Sequence, residues 1–290
     1  MSDVNPLRSS FLSTILATTL LASTSSFAQT DYSQVQITTH HVRGSMYYLE
    51  GAGGNIGLSV GDDGVVMIDD QFAPLTDKIL AAINNLSSGE IRFLINTHMH
   101  PDHTGGNENL GKQGIVILAR DKVRVRMLRN APKEALPVLT FVNNTTIHLN
   151  DEELMIIPVP PAHTDGDSYI YFTNSDVLHT GDVFRTTGFP YIDVGNGGTL
   201  QGTLDALGIA IGMCGPETIV VPGHGVPSTR EDLISFRDMI LDVMSIVRPM
   251  VEKGMSYEQV VAANPTAKFD AKFGSPDRFL PGVYAGLGGE

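Results

Sequence analysis

The feature that most constrains this chain is a cluster of polar side chains directly after a short apolar segment. Residues 91–95 are mostly apolar and predict a buried strand. Three histidines and one aspartate follow within six positions, from His98 to His103. Side chains two positions apart in an extended segment point the same way, so His98 and His100 can face one metal ion. Pro101 then turns the chain, which lets Asp102 and His103 aim at a second point close by.

The alternative for one histidine near a strand end is a hydrogen-bonded structural residue. Four potential ligands at this spacing are hard to explain by packing alone. Imidazole and carboxylate suit zinc, and they suit iron or manganese less specifically. The cluster therefore predicts a metal site where the strand ends.

The motif His-x-His-x-Asp-His of residues 98–103 resembles the signature of the metallo-β-lactamase superfamily. Three later residues, His163, Asp182 and His224, lie in the order of that family's remaining metal ligands, each in a Gly- or Pro-rich loop after an apolar run. The resemblance covers about residues 40–230. It implies an α/β (α+β) fold, a four-layer αββα sandwich with the metals at one edge between the sheets.

Carried over residue by residue, the resemblance implies two zinc ions, with iron or manganese as alternatives. Metal one would be held by His98, His100 and His163. Metal two would be held by Asp102, His103 and His224. Asp182 would bridge both ions.

The resemblance also implies a hydrolase in which a hydroxide shared by the two ions attacks an acyl carbon, with a β-lactam, a lactone or a thioester as substrate. Asp102 would orient the hydroxide and pass on its proton. His100 argues against the di-iron oxygen or nitric oxide reductase branch, which carries Glu there. Asp182 is similar to the bridging residue of glyoxalase II-type thioesterases and of lactonases, whereas dedicated β-lactamases usually carry Cys or Ser.

Two alternatives stand beside this interpretation. One is a glyoxalase II-like thioesterase, and the other is a non-catalytic, periplasmic metal-binding protein of the cell envelope. Asp102 favours an enzyme. A structural zinc site is closed by four ligands, whereas seven ligands over two ions leave coordination positions open for water.

Three further residues have predicted roles around the metals. Asp69 ends a predicted strand, where the family places a carboxylate that supports a zinc-bound histidine; the alternative is an aspartate that caps a turn. Arg185 lies where some β-lactamases carry a cation that binds the substrate carboxylate; the alternative is a local salt bridge. Tyr191 is predicted to bind substrate as part of an apolar wall with Phe184 and Phe189, which could equally anchor the loop.

The first 28 residues predict a secretory signal peptide. Arg8 precedes an apolar run over residues 11–22, and small residues at 26–28 suit cleavage after Ala28. The run is shorter than the roughly 20 residues that a membrane span needs. We therefore expect residues 29–290 to form a single secreted or periplasmic hydrolase domain, without stable membrane association after signal removal.

Charge and cysteine content restrict the partners. The formal net charge of −13 disfavours nucleic acid and anionic membranes, which leaves a small-molecule substrate as the expected partner. The single cysteine, Cys214, excludes an intramolecular disulfide. The oligomeric state is left open by the sequence.

Weaker patterns give further predictions. Residues 132–142 are predicted to be a loop that could cover the site, and the basic residues of 120–129 a solvated helix face. Ser228 and Glu231 are predicted to form a capping box that starts a helix, which Pro249 should bend or end.

Overall fold

The computed structural model describes Met1 and residues 31–289, and the chain divides into two units, residues 1–31 and 32–290. From residue 2 onward, the predicted signal peptide lies outside the described residues. The second unit contains two β-sheets with helices against their outer faces. Within residues 31–289, no helix combines the length and the apolar composition needed to cross a membrane.

The first sheet has seven strands that follow one another in chain order. The first four pair antiparallel, and the fourth to seventh pair parallel. The strands are β1 (Thr38–Arg43), β2 (Met46–Glu50), β3 (Ile56–Gly61), β4 (Gly64–Ile68), β5 (Ile91–Asn96), β6 (Val116–Arg120) and β7 (Leu139–Phe141).

The second sheet has five strands in the order β12-β11-β10-β9-β8. All its pairings are antiparallel except that of β11 with β12. The strands are β8 (Thr145–Leu149), β9 (Glu152–Pro158), β10 (Ser168–Phe172), β11 (Val177–His179) and β12 (Ile219–Val221).

The described helices lie between and after the strands. They are α1 (Thr76–Asn84), α2 (Pro101–Thr104), α3 (Asn107–Lys112), α4 (Asp121–Met127), α5 (Leu200–Met213), α6 (Arg230–Glu252), α7 (Tyr257–Ala262), α8 (Asp270–Phe273) and α9 (Leu280–Gly286).

Three cores account for the layers. Between the sheets, Ile68 and Ile95 of the first sheet pack in one cluster with Ile156 of the second. The outer face of the first sheet packs against α1, which buries Ile79 in that interface. The outer face of the second sheet is covered by α5, α6 and α9, whose buried residues include Ile240. The predicted four-layer αββα sandwich is confirmed.

Two local predictions were wrong. The predicted loop over residues 132–142 contains β7, whose Leu139–Phe141 pair with β6, because an edge strand of three residues is too short to show an alternating pattern. The helix α6 is capped by Thr229 and Asp232. Ser228 cannot cap it because its backbone pairs with Val220 in a β-bridge.

Of the two predicted effects of Pro249, bending or ending α6, the second is not observed. The helix continues past Pro249 to Glu252. A proline lacks the N–H that would bond back along the helix, and here that loss falls within the last turn.

Candidate metal centre

The predicted ligands all follow the carboxyl ends of strands. The cluster at 98–103 follows β5, His163 follows β9, Asp182 follows β11 and His224 follows β12. Asp69 directly follows β4, which runs parallel to β5. The fold therefore brings residues far apart in sequence to one edge of the sandwich.

The metal-one group consists of His98, His100 and His163, whose ligand atoms all lie within 4.8 Å of one another. His163 Nε2 lies 2.8 Å from His100 Nδ1. His98 Nε2 is buried and has no hydrogen-bond partner. A buried imidazole nitrogen without a partner is costly, and a metal ion beside it would remove that cost.

The metal-two group consists of Asp102, His103 and His224, again with all ligand atoms within 4.8 Å of one another. His224 Nε2 lies 3.2 Å from Asp102 Oδ2 and 3.4 Å from His103 Nε2. Asp102 and His103 lie on the short helix α2, which starts at Pro101, directly after His100.

Asp182 lies between the two groups. Its Oδ1 is 3.1 Å from His103 Nε2, and its Oδ2 is 3.3 Å from His224 Nε2 and 3.8 Å from His163 Nε2. Together with His98 and His103 it forms a third set of potential ligands. The structure thus brings all seven sequence-predicted side chains together, with the aspartate where a bridge between two ions would lie.

Asp69 holds the rings of two of these histidines from outside. Its Oδ2 lies 2.7 Å from His103 Nδ1 and accepts a 2.7 Å hydrogen bond from the Thr97 hydroxyl. Because that hydroxyl donates to Asp69, it can accept from His98 Nδ1, 3.0 Å away. The inward Nε2 atoms of His98 and His103 are then free to bind metal. Asp69 also accepts from the Thr97 backbone N–H, so its role is wider than capping a turn.

The loop after Asp182 holds the rings of His163 and His100. His163 Nδ1 lies 2.6 Å from the Tyr191 carbonyl oxygen, and His100 Nε2 lies 2.8 Å from Asp193 Oδ2. Both inward nitrogens therefore present lone pairs to each other, an arrangement that a cation between them would stabilise. Asp193 is a site residue that the sequence analysis missed, because no motif surrounds it.

The protonation states of His98, His163, Asp102 and Asp182 suit a metal. Burial lowers the pKa of His98 well below its usual range and that of His163 to about 4, so both rings are neutral at pH 7. Burial alone would raise the pKa of Asp102, but the hydrogen bond from His224 and the charge of His103 lower it to about 2. Burial likewise opposes ionisation of Asp182, but His103 and His224 hold its pKa well below the usual range. Neutral imidazoles and ionised carboxylates are the donors that zinc prefers.

The residues predicted to contact substrate have different surroundings. Arg185 forms a backbone bridge with His224, and its Nε is buried without a hydrogen-bond partner. In the part of the chain that the structure describes, Arg185 makes no ion pair, so the local salt bridge is not found. Phe184 and Phe189 are buried in the core, so they anchor the loop and do not form a wall around the site.

Tyr191 lies beside the metal-one group. Its ring centroid is 5.8 Å from that of His100 and 5.3 Å from that of His163. The guanidinium of Arg278 lies over the Tyr191 ring, 4.5 Å from its centroid. A cavity of about 440 Å³ is lined in part by Tyr191, Asp193 and Arg278.

Only part of the basic segment is the solvated helix face that was predicted, because Lys122 and Arg129 are exposed whereas three arginines bind other parts of the chain. Arg120 donates to the carbonyl oxygen of Val159, Arg124 to that of Pro137, and Arg126 to both carboxylate oxygens of Asp165. Their partners lie outside the segment, which is why the sequence around them gives no signal. Two of these arginines therefore tie α4 and the end of β6 to the loops that follow β9.

Gly54 gives a direct test of how tightly the metal-two group is enclosed. A Cβ at this position would lie 2.1 Å from His103 Cε1. The backbone cannot easily move away, because Gly54 donates to the Asp102 carbonyl and accepts from Gln71. We expect Gly54→Ala to displace the His103 ring and to weaken zinc binding about 10-fold or more, measured by competition with a chromophoric chelator.

The matched control is Gly208→Ala. Gly208 lies on α5, and a Cβ there would meet nothing within 4 Å. Alanine should leave zinc binding unchanged and stabilise the helix by about 0.5–1 kcal/mol. Wild-type zinc affinity in Gly54→Ala would contradict the enclosure seen around His103.

Comparison with known proteins identifies the class. The profile of the metallo-beta-lactamase superfamily matches residues 49–224. This range includes every side chain of the candidate metal centre. The chain belongs to the metallo-β-lactamase superfamily.

Two curated relatives are similar to part of the chain. The hydroxyacylglutathione hydrolase of Rhodospirillum rubrum is 29% identical over 136 residues, which cover 46% of this chain and 49% of the relative. The alpha subunit of 2,4-dinitroanisole O-demethylase from a Nocardioides species is 24% identical over 155 residues, covering 52% of this chain and 47% of that subunit. The chain thus spans about half the length of these curated relatives.

Solved structures share the fold. A metallo-beta-lactamase from Pontibacter korlensis superposes with a TM-score of 0.62 at 18% identity, covering 71% of this chain and 100% of that one. The metallo-beta-lactamase DIM-1 gives a TM-score of 0.62 at 17% identity, covering 72% and 99%. These neighbours support the fold of the chain, which carries a candidate His/Asp metal site.

Proposed function

We propose that this chain is a secreted, dinuclear zinc hydrolase of acyl bonds, formed by one domain over residues 29–290 after removal of residues 1–28. The observation that carries the proposal is the convergence of seven histidine and aspartate side chains into two adjoining groups linked by Asp182. Secretion rests on the signal-like pattern of the first 28 residues.

Zinc held by these residues would lower the pKa of bound water towards neutrality and polarise a substrate carbonyl. The chain itself would supply a proton acceptor. Asp102 is ionised at neutral pH, and its side chain is 29% exposed while the neighbouring His103 is fully buried. It is therefore the carboxylate of the group that substrate can reach, and it is placed to take up a proton and return it to a leaving group.

Two observations favour a thioester as the first substrate to test. The Rhodospirillum rubrum relative is a hydroxyacylglutathione hydrolase, and hydroxyacylglutathione is a thioester. Asp182 resembles the bridging aspartate of thioesterases of that type. The cavity beside Tyr191 and Arg278 is large enough for part of a small molecule.

The test is a screen of the zinc-loaded chain against a hydroxyacylglutathione thioester, a lactone and a chromogenic cephalosporin, with His100→Ala as the inactive control. We expect turnover of at least one acyl substrate that is lost in His100→Ala. If two metals are bound but none of the three acyl substrates is cleaved, the result contradicts the proposed acyl hydrolase and favours the non-catalytic metal-binding protein.

Arg185 is expected to bind an anionic group of the substrate. Its Nε is buried without a partner beside His224, and a charge-assisted hydrogen bond contributes about 1.5–3 kcal/mol. Arg185→Ala should therefore raise KM about 10- to 100-fold for a carboxylate-bearing substrate and leave KM for its neutral ester unchanged. Arg237→Ala on α6, which removes an arginine paired with Asp238, is the matched control. An unchanged KM on anionic substrates removes this role for Arg185.

A further inference from the structure

The ring of His100 is held from a loop that no motif marks. Its Nε2 lies 2.8 Å from Asp193 Oδ2, and its Nδ1 faces His163 Nε2 at 2.8 Å. Asp193 is therefore on the far side of the ring from the metal-one group and cannot itself be a ligand of that group. The His100 and Asp193 side chains are 15% and 10% exposed, so water competes little for this contact.

Asp193 is in turn held by its own loop. The backbone N–H of Asn196 donates to Asp193 Oδ1 at 3.1 Å, and the side-chain amide of Asn196 donates to Oδ2 at 2.7 Å. The backbone N–H of Asp193 donates to the carbonyl oxygen of His163 at 2.9 Å. Two hydrogen bonds from Asn196 thus hold the carboxylate beside His100, and the backbone hydrogen bond fixes Asp193 relative to His163.

The loop is anchored to the first half of the chain by Arg126 on α4. Its guanidinium donates to both carboxylate oxygens of Asp165, at 3.1 and 2.9 Å, and its Nη1 lies 3.4 Å from Asn196 Oδ1. The backbone N–H of Asp165 donates to the carbonyl oxygen of Asn196 at 3.0 Å. A continuous chain of polar contacts therefore runs from Arg126 through Asn196 to Asp193 and His100.

The metal-two group has a different support. Asp69 contacts His103 and, through Thr97, His98, and within residues 31–289 it forms no hydrogen bond with His100 or His163. Asp69 thus supports one histidine of each group, His98 and His103, whereas the ligand histidine that hydrogen-bonds to the Asp193 carboxylate is His100 of the metal-one group.

We propose that Asp193 is a positioning residue for His100, held in place by Asn196 and Arg126, and that this chain of contacts sets the affinity of metal one and not that of metal two. The proposal rests on the proposed function in that it requires two metal ions. An outer carboxylate typically changes metal affinity by 10- to 100-fold when it is removed.

The experiment measures zinc affinity and stoichiometry of the full chain by competition with a chromophoric chelator. We expect Asp193→Asn to weaken the binding of one of the two zinc ions about 10- to 100-fold and to leave the affinity for the other unchanged. In the His100→Ala background, Asp193→Asn should have no further effect, because its influence passes through that ring. A loss of the same size in both backgrounds, or wild-type affinity in the single variant, would overturn the proposal.

Arg126→Ala and Arg124→Ala form a matched pair on the same helix. Arg124 donates to the Pro137 carbonyl and has no contact with the loop of Asp193. We expect Arg126→Ala to weaken binding of the same zinc ion as Asp193→Asn, by a smaller factor. Arg124→Ala should leave the affinity for both ions unchanged. Equal effects of the two arginine variants would overturn the proposed chain of contacts.

Asn196→Ala keeps the experiment decisive if Asp193→Asn does not fold, since it frees the carboxylate without changing the group beside His100. Asn196→Ala should weaken the binding of the same zinc ion and leave the affinity for the other unchanged. A wild-type chain that binds two ions, with no variant altering either, contradicts only the positioning proposal. A wild-type chain that binds no zinc contradicts the proposed function and this inference with it.

Discussion

Asp69→Ala is expected to lower the free energy of unfolding by about 3–5 kcal/mol, the effect of removing one partner from a buried ion pair. Asp69 and His103 have fully buried side chains with 2.7 Å between Oδ2 and Nδ1. The same carboxylate accepts from the backbone N–H and the hydroxyl of Thr97, so alanine leaves three buried donors without their acceptor. Chemical denaturation of the metal-free chain measures the change.

The backbone conformation at Asp69 also contributes to the expected loss of stability, and a second variant separates this contribution from that of the ion pair. Asp69 has a φ of 61°, a region that asparagine and aspartate tolerate better than alanine. Asp69→Asn keeps the tolerant residue type and loses the charge, so it isolates the ion pair. Asp205→Ala, at an exposed position on α5, should change stability by less than about 0.5 kcal/mol. Equal stabilities of Asp69→Ala and wild type would show that the buried pair contributes nothing.

Asp102→Asn is expected to reduce turnover about 10²- to 10⁴-fold, the range for loss of a general acid–base group. The carboxylate is ionised because the hydrogen bond from His224 and the charge of His103 outweigh its burial, whereas an amide cannot accept a proton at neutral pH. The loss should appear mainly in kcat, because the proton moves only during reaction.

Zinc content must be measured on the same samples, since Asp102 is also a proposed ligand. Glu108→Gln is the matched control, because Glu108 lies on the nearby α3 and its ion pair in the described part of the chain is with Lys112 at the surface. Wild-type turnover in Asp102→Asn with both ions bound would rule out the proton-transfer role.

Much of the candidate site could be predicted because its ligands carry local signals. His98, His100 and His103 lie within six positions after an apolar strand, and His163 and His224 each follow a strand in a Gly- or Pro-rich loop. The four-layer fold was also predictable, because the resemblance of the motif to that of the metallo-β-lactamase superfamily implies it.

The residues that support the ligands could not be predicted in the same way. Asp193 lies 93 positions from His100 in an irregular loop, and its role depends on a contact that only the folded chain creates. The partners of Arg120 and Arg126 lie 39 positions away, so a run of basic residues looked like an ordinary exposed helix face. The strand β7 has three residues, too few for a periodic signal.

The most direct test of the central claim is the metal content of the purified chain after incubation with zinc at neutral pH and removal of free metal, measured by elemental analysis. The seven converging side chains predict two zinc ions per chain in the wild type and fewer in Asp182→Ala, which removes the residue between the two groups. A wild-type chain that retains no metal under these conditions would contradict the account.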